Sequence, residues 1–147
     1  MRFSPHVTVA ALIRQQNRYL LVEEGDPANS VFNQPAGHIE ANESPYAACC
    51  REVLEETGWH TIPEHLIGVY LLHLEQGAKA YYRFGFRAQA IEQLHTELDE
   101  GIIACHWLTL DEIRTLDKAG RLRSDLVMRL IEDDLAGRAF PLDLIRA

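Results

Sequence analysis

The stretch Gly37-His-Ile-Glu-Ala-Asn-Glu43-Ser-Pro-Tyr-Ala-Ala-Cys-Cys-Arg51-Glu52-Val-Leu-Glu55-Glu56-Thr-Gly58-Trp59 decides how this chain is read. It divides into a loop, a helix and a stop. Ser44 is a side-chain cap for a helix N-terminus, Pro45 suits the first helical position, and Gly58 suits the left-handed residue that ends a helix. The spacing predicts a helix over 45–57.

At about 100° per residue, Glu52, Glu55 and Glu56 share one narrow sector of that helix, with Tyr46, Ala47, Cys50, Val53 and Leu54 on the opposite side. Like charges at these spacings lower helix stability by a few tenths of a kcal/mol per pair. Hard divalent cations are held by a few carboxylate oxygens, with other positions left to water and substrate phosphates, and this cluster supplies such oxygens. Arg51, one turn before Glu55, is placed to hold a carboxylate in position. The alternative is a solvated acidic face.

The spacing favours the metal. Gly37, Glu43, Arg51-Glu52-Val53, Glu55-Glu56, Gly58 and Trp59 fall at every fixed position of Gly-x5-Glu-x7-Arg-Glu-U-x-Glu-Glu-x-Gly-U, where U is bulky and apolar. The chain thereby resembles the Nudix hydrolases; an aliphatic residue is more usual where Trp59 stands. The resemblance implies an α/β/α sandwich with a mixed β-sheet over residues 1–147 as a single domain, with the signature at 37–59. It also implies Mg²⁺, or Mn²⁺, held by Glu52, Glu55, Glu56 and the Gly37 carbonyl. The implied activity is hydrolysis of a phosphoanhydride in a small di- or triphosphate by metal-activated water. His-Val-Thr-Val-Ala at 6–10, Asn-Gln-Pro-Ala-Gly-His-Ile-Glu at 33–40 and Leu-Asp-Glu-Gly-Ile before Trp107 resemble a branch acting on nucleoside di- and triphosphates and on hydroxymethylpyrimidine diphosphate. The rival reading is a catalytically weak module of the same family that binds a nucleotide or protein partner, and in such modules a signature acid is usually lost; here every one is present.

The rest of the chain agrees. With 147 residues, 47% apolar and 24% charged, it is of single-domain size and globular composition. No apolar run is long enough to span a bilayer, and no signal peptide opens the chain, so the expected compartment is the cytoplasm. Cys49, Cys50 and Cys105 make no metal-binding spacing. A net charge of −8 argues against long nucleic acid as a partner. Nothing in the sequence fixes an oligomeric state.

In chain order, strands are expected at 6–13, 19–23, 66–75, 80–91 and 102–108, with Pro63 punctuating the segment after the central helix and short helices beginning at Thr109 and Ser124. Residues 80–91 alternate, with Tyr82, Phe84 and Phe86 on one face as expected core and Tyr81, Arg83, Gly85 and Arg87 on the other. Arg83, near the strand centre, is the candidate phosphate contact. Phe32, Tyr70 and Trp107 are candidates to stack on a planar substrate group. Within the acidic loop 95–101, Glu97 and Glu100 are the candidates for a catalytic carboxylate outside the signature. Glu100, nearer the following strand, is preferred, because a base must reach the attacking water. Catalysis is thus assigned to Arg51, Glu55, Glu56 and Glu100.

Overall fold

The computed structural model describes residues 2–147. Its centre is β1, His6–Gln15, whose residues 8–13 are all buried. Side chains alternate across a strand, and here both sides are covered. Val9, Ala11 and Ile13 join one apolar cluster with Ala48, Cys49 and Val53 of α1 (Pro45–Thr57), whereas Ala10 and Leu12 join another with Ile113 of α2 (Leu110–Lys118) and Leu130 and Ile131 of α3 (Leu126–Leu135). A strand covered on both faces reads as an unbroken apolar run, hence Val-Ala-Ala-Leu-Ile. The result is the expected α/β/α layering.

The remaining strands are β2 (Arg18–Glu24), β3 (Val31–Asn33), β4 (Ala36–His38), β5 (Trp59–Leu74), β6 (Lys79–Gln93) and β7 (Ile102–Thr109). They form a seven-stranded mixed sheet of order β3-β2-β1-β6-β5, with β4 also on β1 and β7 also on β2. β1 runs parallel to β6, with Thr8 opposite Arg83; every other pairing between these strands is antiparallel. β1 and β2 pair only beside their turn, at Arg14↔Tyr19 and Gln15↔Arg18. Beyond it they part, β1 taking β4 and β2 taking β7. This split opens the sheet beside Gly37.

Two local expectations are corrected. Pro63 does not break the chain: β5 runs through it, with register shifts on either side. β5 lies at the sheet edge, where a residue without an N–H is tolerated. In β6 the aromatic face is only partly core, for Phe86 is fully buried while Tyr82 is 39% exposed. In α1 the buried residues are Ala48, Cys49, Val53, Glu56 and Thr57; Tyr46 is exposed and Glu56 is drawn into the interior.

On the opposite face α3 is fixed by polar clamps. The Arg87 guanidinium donates to both carboxylate oxygens of Asp134 at 2.9 Å, and the Tyr70 hydroxyl donates to Asp133 Oδ2 at 2.7 Å.

Candidate active site

The helix that carries the signature is bounded as its sequence requires. Ser44 Oγ accepts from the Ala47 N–H at 3.1 Å, and Gly58 ends the helix at φ 77° while its N–H donates to the Leu54 carbonyl. A Cβ on Gly58 would run into the His95 carbonyl, so glycine is required there twice over.

Arg51 gathers the acids. Nε and Nη2 donate to the two Glu43 oxygens at 2.7 and 2.9 Å in a bidentate pair. Nη1 donates to Glu52 Oε1 at 2.8 Å and Glu55 Oε2 at 3.1 Å, with Glu40 at 3.3 Å, and Nη2 also reaches the His38 carbonyl at 3.0 Å. The Arg51 hydrogen bonds, aided by the Glu40 N–H, pull the Glu43 carboxyl down to about 2. The same hydrogen bonds hold Arg51 well above the ordinary guanidinium value.

Glu52 and Glu56 both shift the other way from Glu43. Burial raises Glu52, and the charges of Glu55 and Asp99 add to it against the pull of Arg51. Glu56 is 8% exposed and accepts from the Ala36 N–H at 2.9 Å. Burial first, then the negative charges of Glu52, Glu24 and Asp99, push it up to about 8 despite that hydrogen bond. Gly37 lies so close that a Cβ there would overlap the Glu52 carboxylate. Crowded oxygen donors with unbalanced negative charge, beside a backbone with no side chain, fit a hard divalent cation. Among the described residues no three acids or imidazoles close on one point; Arg51 holds Glu52 and Glu55, and the Ala36 amide holds Glu56.

Beside this array, in the split of the sheet, lies a cavity of about 240 Å³ whose lining includes Thr8, Glu24, Asn33, Gly37, Arg83 and Arg123. Arg83 is brought here by the parallel register of β6 on β1 and donates to Thr8 Oγ1 at 3.5 Å. Phe32, Tyr70 and Trp107 do not line it. Phe32 and Tyr70 are 7% exposed within the α3-side core, with the Arg121 guanidinium over the Phe32 ring. Trp107 packs edge-on against Trp59 on the α1 side. The aromatic that does line the cavity is Tyr81, with His6 stacked on it at 4.6 Å. Its signal was in the alternation of β6, which puts Tyr81 on the face of Arg83.

The loop acids also sort themselves. Glu97, Asp99 and Glu100 are all exposed, but it is the charge of Asp99 that bears on Glu52 and Glu56. The Ile102 N–H donates to the Asp99 carbonyl at 3.1 Å, closing a turn over Glu100 and Gly101 and anchoring Asp99 at the entrance to β7. Asp-x-Gly is a turn signal, and read so it points to Asp99. Glu24, at a register shift between β2 and β7, was given no role by the sequence reading.

Comparison with known proteins gives the family. The NUDIX domain family model matches residues 4–130. The phosphatase NudJ of Shigella boydii is 36% identical over 144 residues, 97% of this chain and 92% of the relative, and that of Escherichia coli K12 is 35% identical over the same spans. A NUDIX hydrolase from Nitrosomonas europaea superposes with a TM-score of 0.90 at 44% identity, covering 98% of this chain and 97% of that one. Signature, layering and relatives converge, and the chain belongs to the Nudix hydrolase family.

Proposed function

We propose that the protein is a Mg²⁺-dependent, or Mn²⁺-dependent, hydrolase of phosphoanhydride bonds in small organic di- and triphosphates, acting in the cytoplasm. The observation that carries the reading is the Arg51-centred array of intact acids opening beside a cavity with two arginines, Arg83 and Arg123. Glu52, Glu55, Glu56 and the Gly37 carbonyl would hold the cation. A bound divalent cation neutralises phosphate charge and makes a coordinated water easier to deprotonate. Arg51 keeps the carboxylates in place, and Arg83 and Arg123 add positive charge where the substrate's phosphates arrive. An acid from outside the helix serves as base or further ligand; Glu100 remains a candidate, and the charge of Asp99 on Glu52 and Glu56 favours its neighbour.

Nucleoside di- and triphosphates and hydroxymethylpyrimidine diphosphate are the proposed substrates, in keeping with the flanking resemblances and with relatives named phosphatase NudJ. The test is a panel of these compounds with Mg²⁺, assayed for phosphate with and without added pyrophosphatase. Release from at least one, abolished by chelator, is expected. No release from any compound by folded protein refutes the reading and favours a binding module.

A further inference from the structure

The free edge of β5 changes character along its length. β5 ends the strand order, so one side of it pairs with β6 and the other with no strand. Open edges invite pairing with another chain, and proteins blunt them with proline, bulges, charge or a covering segment. Residues 59–67 carry all four: Pro63, register shifts at His60/Thr61, Pro63/His65 and Leu66/Gly68, the charge of Glu64, and Phe140, which bonds both the N–H and the carbonyl of Leu66. From Gly68 to Leu74 none of them is present. The register with β6 runs on without a shift, and Gly-Val-Tyr-Leu-Leu-His-Leu holds no proline and no Asp, Glu, Lys or Arg. Among the described residues, no backbone group outside β6 bonds to it.

The same half bears an open apolar face. Val69 stands opposite Phe84, Leu71 opposite Tyr82, and Tyr82 opposite Val7, so these side chains lie on one side of the sheet. Val69, Leu71, Tyr82 and Val7 are all exposed. Contiguous apolar surface of this kind marks an interface.

Charge indicates what the partner is. On the α3 side, a cavity of about 370 Å³ borders the edge at Gly68–Leu71 and is lined by Arg129, Arg138 and Asp133. Asp133 accepts from the Tyr70 hydroxyl, whereas neither guanidinium has an ion-pair partner among the described residues. Just past the other end of the segment stands Glu75, whose one ion pair, with Lys79 at 3.2 Å, is exposed and therefore weak. The segment is thus complementary to itself. Laid antiparallel on a second copy about its midpoint, Leu71, it sets Gly68 opposite the copy's Leu74 and brings each Glu75 to the end where the other copy holds Arg129 and Arg138. The two apolar faces then join into one across the axis.

We propose that residues 68–74 of β5 pair antiparallel with the same residues of a second copy of this chain, extending the sheet across a two-fold axis at Leu71, with Glu75 of each protomer facing Arg129 and Arg138 of the other. Such an interface is isologous and closes on itself. Leu72 and Leu74 also line the cavity beside Gly37, so the second copy borders its rim.

Sedimentation equilibrium of the full chain from about 1 µM to about 1 mM reads the association, at about 0.15 M salt so that repulsion between chains of charge −8 is screened. A dimer is expected within that range. Leu71→Lys sets two ammonium groups against each other on the axis and is expected to weaken the dimer about tenfold or more, in a fold checked by circular dichroism. Glu75→Lys and Arg129→Glu, both at exposed positions that the fold does not need, are each expected to weaken it about threefold or more, and the two in one chain to associate more tightly than either alone. A monomer at every concentration overturns the proposal and leaves the edge to a different polypeptide. A dimer that folded Leu71→Lys leaves intact, or charge reversals that show no recovery when combined, overturns it by placing the contact elsewhere.

Discussion

Replacing Glu56 by glutamine separates a metal-binding carboxylate from an ordinary buried acid. Glu56 is 8% exposed and pushed up to about 8, by burial and by the charges of Glu52, Glu24 and Asp99, from 4.5 in the unfolded chain. Between those values the folded protein keeps a proton that the unfolded chain has released. Metal-free stability should therefore be fullest below about pH 4.5 as far as this group is concerned, and should fall as pH rises through about 8. At about 1.4 kcal/mol per unit, the loss from pH 5 to pH 8 is about 3–4 kcal/mol. Glutamine keeps an oxygen for the Ala36 N–H and has no proton to lose, so Glu56→Gln should lack this component. Urea unfolding of both proteins in chelator at pH 5, 6.5 and 8 measures the difference, in which the other titrating groups cancel. Added Mg²⁺ should restore the wild type at pH 8 by binding the native state alone, and should stabilise the variant much less. Turnover of the variant should nearly vanish. Identical pH profiles, or equal stabilisation by Mg²⁺, would refute the assignment of Glu56.

Arg51→Ala leaves Glu43 and Glu52 without their shared counter-charge and should lower stability by about 2–4 kcal/mol, with a strong loss of rate even under conditions where the variant is fully folded. Gly37→Ala places a methyl on the Glu52 carboxylate; a displaced ligand should slow turnover on the order of a hundredfold, read from kcat in a fold checked by circular dichroism. Among Glu97→Gln, Asp99→Asn and Glu100→Gln, the variant that loses about two or more orders of magnitude identifies the acid outside the helix; near-normal rates in all three return the duty to the helix glutamates. Glu43, held at about 2 chiefly by Arg51, contributes stability that is present above about pH 4.5 and lost as pH falls toward 2, so Glu43→Gln should flatten the acid limb of the unfolding profile.

Local rules carried the sequence reading as far as local physics reaches. Ser44, Pro45 and Gly58 bounded α1 at its observed ends, because caps and left-handed stops are set by a few adjacent residues. The crowding of Glu52, Glu55 and Glu56 was legible from helical spacing alone. Which side of α1 is buried was not legible there, because it depends on how small residues such as Ala48 and Cys49 let the helix approach β1. Pro63 was misjudged for a similar reason, since whether a strand tolerates proline depends on its place in the sheet. The cavity was least legible of all. Asn33, Tyr81 and Glu24 meet only through strand pairing, and Phe32 and Trp107, plausible as stacking residues by type, are claimed by the two apolar clusters.

The parallel pairing of β1 with β6 sets when the site can come into being. Thr8 and Arg83 face each other across 75 positions of chain, and a contact of that range must overcome a loop-closure cost that local hairpins escape. The signature helix can form early from its own caps, and the β1–β2 turn beside it likewise. Arg83, however, reaches Thr8 and Gly37 only when the two distant strands zip together. During synthesis the acids would therefore be assembled before the cavity wall, and a nascent chain released short of β6 would hold the signature with no cavity beside it.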